Sequence, residues 1–217
     1  MAYIPKTYKI KTIDDISEIE KGCKVSVDVY NWGGDYRPVT KATLCYVKNQ
    51  GFAVRMTCEE KNPRATFTQP NARVCRDSCL EFYADFKPEM KDKGYVNFEC
   101  NAFGTMLCYY GPATEYEYDG PHRLGDRAPV KEMGYDHPVP RVIRTEKYWG
   151  WELLVPLTLI RNLYGSADYK AGDHIRGNFY KCGDLTEHRH YASFTKIDLP
   201  KPNFMHPEFF ADMIIVD

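Results

Sequence analysis

An uninterrupted apolar stretch is missing from the opening segment Met1 to Ile10, which excludes a signal peptide or a membrane span there. Charge of one sign is missing too. The chain carries 29 Lys and Arg against 30 Asp and Glu, a formal net charge of -1, and the two signs are mixed along its length. Nothing therefore draws it electrostatically to nucleic acid or to an anionic membrane. It has no Gly-rich phosphate loop, no serine nucleophile elbow, no EF-hand-like loop and no internal repeat. Its eight cysteines include no CxxC pair, and most sit in apolar runs, so they read as reduced thiols filling a core. As written the chain is expected to be cytoplasmic, or extracellular if a leader has been removed.

What the chain has is strands. Short runs rich in β-branched and aromatic residues recur between turn signals at 24–30, 42–48, 51–59, 78–86, 95–102, 105–110, 149–155, 175–182, 190–197 and 209–216. That spacing predicts an all-β fold, an antiparallel β-sandwich of jelly-roll or immunoglobulin-like type, as one domain over residues 1–217. One or two short helices are expected. Residues 13–21 end at Gly22, and 156–164 begin with Pro156 and stop before Gly165. The turns at 49–51 and 103–104 read as hairpins. The stretch 111–141, rich in Pro, Gly, Asp and Tyr, reads as a long surface excursion.

Period-two alternation sorts three of the strands into faces. Leu80, Phe82, Ala84 and Phe86 face inward, as do Val96, Phe98, Cys100 and Ala102, and Phe52, Val54, Met56 and Cys58. If the strands are neighbours, Arg55, Glu81, Tyr83, Asn97 and Glu99 share one outer face, where carboxylate, amide and guanidinium groups can make paired bonds to vicinal hydroxyls. Glu81 and Glu99 as cross-strand neighbours also supply the two carboxyls that glycoside hydrolysis requires. His188 and His190, with Asp184, Glu187 and His206, are candidate metal ligands. Asp35 or Asp77 are candidate contributors to a calcium site. Trp32 and Tyr36 lie on a Gly-rich turn as lids or stacking platforms.

The run Asp77 to Phe82, the preceding Gly51 to Arg55, the turn Asn31 to Pro38, and the segments from Arg176 through Asp184 to Phe209 resemble family 9 carbohydrate-binding modules, especially a stand-alone bacterial branch. The similarity spans roughly residues 25–216. It implies a β-sandwich, usually with bound calcium, that holds the reducing-end sugar of β-glucans, xylans or disaccharides between two tryptophans. Carried across, the strand glutamate falls on Glu81, one stacking aromatic on Phe204 and a polar strand residue near Lys181. Val74 stands where the family has its other tryptophan, and Glu99 where it has an arginine.

The expectation is therefore non-catalytic binding of a mono- or oligosaccharide or glycan end. Its candidate residues are Trp32, Arg55, Glu81, Glu99, Lys181, Tyr191, Phe194 and Phe204, with calcium as a structural cofactor implied by the resemblance alone. The alternatives are a structural or interaction module and a glycoside-processing enzyme.

Overall fold

The computed structural model describes residues 6–112 and 127–217. In chain order its strands are β1 Thr7–Ile13, β2 Lys24–Ser26, β3 Val39–Val47, β4 Gly51–Glu59, β5 Cys79–Asp85, β6 Gly94–Asn101, β7 Met106–Pro112, β8 Ala128–Pro129, β9 Arg141–Arg144, β10 Trp149–Pro156, β11 His174–Gly183, β12 His190–Ser193 and β13 Ala211–Val216. One α-helix, α1, spans Leu157–Tyr164. Residues 113–126 of the 111–141 excursion lie outside the described residues.

The strands form one curled sheet in the order β8-β7-β6-β5-β11-β13-β1-β3-β4-β10-β9, with β12 added to β11 and β2 to β3. Its two ends fold toward each other around a common core, as the Phe52 and Phe86 rings at 5.4 Å and the Trp151 indole donating to the Leu80 carbonyl at 3.2 Å show. The three inward sets read from alternation all lie in that core. The sheet is mostly antiparallel, with a correction at β1, which runs parallel to both β13 and β3. Thr7 to Ile13 alternates between exposed and buried, but four of its seven residues are threonine or lysine. A strand so polar gains its place from two neighbours remote in sequence.

The expected helices form, in shortened shape. Residues Ile16–Lys21 make a 3-10 helix, because the Asp15 side chain caps Ser17 N and Gly22 N closes onto the Ile19 carbonyl. Pro156 precedes α1 with extended backbone, and Gly165, at φ 85°, terminates it in the left-handed conformation that glycine adopts most readily. Between β3 and β4, Asn49 takes φ 60° and Gly51 φ 155°, so the hairpin turn read at 49–51 is present. No described helix is long and apolar enough to cross a membrane.

Candidate sugar-binding cleft

The odd positions of β5 and the facing residues of β6 and β11 meet on one face. Glu81 pairs in register with Glu99 on one side and Tyr180 on the other, Tyr83 with Asn97, and Cys79 with Cys182. That face was expected to be solvated. Instead it is covered by the 196–210 segment, and Val74, Tyr83, Tyr95, Tyr180, Phe204 and Phe210 build a second apolar cluster over it. The two carboxyls are thereby drawn inside: Glu81 is 1% exposed and Glu99 4%. A cleft of about 150 Å³ remains between sheet and cover, and Glu81, Tyr83, Glu99, Cys182, Asp184 and Tyr191 line its polar side. Cys75 and the run Pro202, Asn203, Phe204 and Met205 complete the lining.

The carboxyls have different surroundings. Glu99 Oε1 accepts from the Tyr83 hydroxyl at 2.7 Å and from Asn97 Nδ2 at 3.2 Å, and the buried Arg127, over the Tyr95 ring at 3.9 Å, lends it positive potential. Burial raises its pKa, while these three groups oppose the rise. Glu81 is raised further, first by burial and then by the charge of Glu99 beside it. Its Oε1 accepts from Cys182 Sγ at 2.9 Å, and its Oε2 is buried without a hydrogen-bond partner among the described residues. Tyr83, close enough to favour ionised Glu81, commits its hydroxyl to Glu99. Burial and the neighbouring charge thus favour the neutral acid form of Glu81, and Glu99, with its three supporting groups, is the better acceptor.

The aromatic candidates separate. The Phe204 ring stacks on Tyr180 at 4.2 Å, and Trp32 and Tyr191 pack around it at 5.9 and 6.2 Å. Phe204 and Tyr191 line the cleft. Trp32 does not; its indole N–H is spent on the Leu199 carbonyl at 2.8 Å. Val74 is fully buried, and the adjacent Cys75 reaches the cleft in its stead.

Three further candidates lie elsewhere. Arg55 sits on β4, several strands away in the sheet, opposite Glu152 in register. It donates to Glu152 Oε2 at 2.7 Å and pairs with Glu20. Alternation gave its face correctly, but β4 and β5 are not paired strands. Lys181 alternates with Tyr180 and Cys182, so it points to the opposite side of β11. There it is fully buried, 3.3 Å from Glu60 Oε2 and above the Trp149 ring. Phe194 lies in the main core at right angles to Tyr8, ring centroids 6.3 Å apart. Cys75 and Cys182, read as core fillers, belong to the cleft lining; for Cys182 the signal was its place two residues from Tyr180, on the same face of β11.

The expected metal ligands do not assemble. His190 is buried with Nδ1 2.6 Å from the His188 carbonyl, and its pKa falls to about 4 through burial and then Lys181. His188 stacks on Tyr36, and His206 pairs with Glu208 at 2.7 Å. Asp77, proposed for calcium, is spent on Thr66, Phe67 and Asn101 donors and on Arg64. Among the described residues the group of three potential metal ligands is Cys79, Glu81 and Cys182, and its two sulfurs do not suit calcium, which takes oxygen ligands. A larger cleft of about 420 Å³ lies between α1 and residues 135–141, but two of its charged members, Arg141 and Glu152, are bonded to each other at 2.8 Å. That leaves it fewer polar groups free for a ligand.

Comparison with known proteins agrees with this fold. A crystal structure of a proposed carbohydrate-binding protein from Bacteroides uniformis superposes with a TM-score of 0.78 at 23% identity, covering 98% of this chain and 100% of the other. A family 9 carbohydrate-binding module from Caldicellulosiruptor kristjanssonii superposes with a TM-score of 0.62 at 8% identity in its cellotriose complex, covering 97% of this chain and 93% of the module. In its glucose complex the values are 0.64 and 10%, with 97% and 96% covered. No curated protein sequence matches the chain. The sequence profile of carbohydrate-binding family 9 matches residues 11–215, nearly the whole length, and the chain belongs to that family.

Proposed function

We propose that the cleft between the β5–β6–β11 face and the 196–210 segment binds one end of a saccharide without cleaving it. The observation that carries this reading is the meeting of Glu81, Glu99, Asp184 and Tyr191 with Phe204 around one small opening. Neutral Glu81 donates to a sugar oxygen, Glu99 and Asp184 accept from hydroxyls, and Phe204 shields a C–H face. With Phe204 only 9% exposed, the ligand is held more by hydrogen bonds than by stacking.

Catalysis is disfavoured by the same electrostatics. Hydrolysis needs one carboxyl protonated and its partner ionised as nucleophile or base, whereas burial pushes both of these toward protonation. Because family 9 relatives bind glucose and cellotriose, those two sugars are the first to try. In titration calorimetry, Glu81→Ala and Phe204→Ala should each weaken binding about tenfold or more, a loss of roughly 1.4 kcal/mol or more, while circular dichroism stays that of a folded β protein. Unchanged affinity in both variants would sink the site. Absence of any response across a glycan array would favour an interaction module.

A further inference from the structure

A second chemistry adjoins the cleft, through the lining residues Glu81 and Cys182 and their buried neighbour Cys79. Cys79 and Cys182 lie opposite each other on β5 and β11, and Glu81 is two residues along β5 on the same face. One ligand atom from each lies within 4.8 Å of the other two. Around a tetrahedral zinc ion, sulfur ligands sit roughly 3.8 Å apart given Zn–S bonds near 2.3 Å, so modest side-chain rotation brings these atoms to bonding positions. All three side chains are 2% exposed or less, and both cysteines are free thiols.

Among the described residues no cation lines the cleft, and Arg189, near its rim of lining groups, is spent on Tyr191 and Asp184. Of the groups facing the cluster, Cys75 comes from the turn before β5, Glu99 and Tyr83 from β6 and β5, and Asp184 from the end of β11; none carries positive charge. Arg127 acts on Glu99, and Lys181 points to the other side of β11. Glu81 Oε2, buried and without a hydrogen-bond partner among the described residues, is a vacant donor atom at the centre of this group. Burial raises both thiols well above their ordinary range, so they remain protonated unless something binds their anions.

We propose that Cys79, Glu81 and Cys182 form a site for a thiophilic divalent cation, zinc foremost, at the base of the cleft, with a fourth position open to the cleft. Two thiolates select zinc over calcium or magnesium, and three protein ligands with one exchangeable position is the arrangement of an accessible zinc centre. Uptake releases the two thiol protons and the Glu81 proton to solvent. Glu81 and Cys182 line the cleft together with Asp184 and Tyr191, so a ligand hydroxyl entering the zinc-loaded cleft meets the ion in place of the Glu81 proton. The site itself does not depend on the saccharide reading, because the ion is held by the chain alone.

The test uses the full chain, reduced and stripped with chelator, and titrated with zinc alone and with cobalt(II) as a spectroscopic reporter. The expected result is one equivalent of zinc and a thiolate-to-cobalt charge-transfer band that zinc abolishes. Cys79→Ala and Cys182→Ala should each remove the band and weaken zinc at least about 100-fold, Glu81→Gln should keep the band with affinity down about tenfold, and Cys23→Ala should change nothing. Glu81→Gln is nearly isosteric, so it reports even if a cysteine variant folds poorly. Failure to take up zinc, or uptake that survives replacement of both cysteines, would overturn the proposal. So would closure of Cys79 and Cys182 into a disulfide whose reduction restores no uptake. Glycan titrations with and without chelator separate this result from the saccharide reading.

Discussion

Lys181 shows how much a single alternation step decides at the residue scale. Its neighbours Tyr180 and Cys182 face the cleft, and Lys181 faces the interior, where Glu60 accepts from Ser78 and Trp149 as well as pairing with the ammonium group. Removing the cation leaves a buried carboxylate uncompensated, which costs about 3–5 kcal/mol. Lys181→Met is therefore expected to lower the free energy of urea unfolding by that order, and adding Glu60→Gln should restore most of it. The inward positions of β4, β5 and β6 were legible in the sequence because alternation is a property of the strand itself. The burial of Glu81 and Glu99 was not, because the residues that cover them, Phe204 and Phe210, come from a segment more than a hundred positions away.

Turn chemistry sets the elements, and long-range pairing sets their neighbours. Gly51 begins β4 with φ 155°, and a Cβ there would stand 2.0 Å from the Val155 carbonyl oxygen on β10. Gly51→Ala is expected to pry β4 from β10 and to cost more than about 1 kcal/mol, read as a lowered melting temperature with hydrogen-exchange protection lost first along β10. The β3–β4 and β6–β7 hairpins and the start and stop of α1 were visible in the chain because glycine, asparagine and proline act locally. β1 was not read as a strand, although Thr7 to Ile13 alternates, and its two parallel partners, β3 and β13, are fixed only when the sheet closes.

At the scale of the whole molecule, buried titratable groups on the two sides of β11 give stability two opposing pH slopes. His190 has its folded pKa lowered from 6.5 to about 4, so below pH 6.5 the unfolded chain binds more protons and stability is lost as pH falls toward 4, by up to about 3 kcal/mol. Glu81 and Glu99 have folded pKa values raised, so their contribution is fully present below the ordinary carboxylate value near 4.5 and is lost as pH rises through the raised values. In urea titrations of the metal-free protein across this range, His190→Gln should flatten the acid limb and Glu81→Gln the alkaline one. An unchanged profile in both would contradict the burial that places them.

The sequence alone determined which side chains of β4, β5 and β6 turn inward and where the local turns fall, because both follow from the backbone of a few consecutive residues. It also placed Glu81 and Phe204 as candidates, through the family's short motifs. Only the tertiary structure decided that Glu81 and Glu99, read as cross-strand neighbours, lie under a cover, that Arg55, Lys181 and Phe194 stand elsewhere, and that Cys79 meets Cys182. Those neighbours depend on which distant strands pair when the sheet closes, and the alternation within a strand names its faces without naming what lies against them.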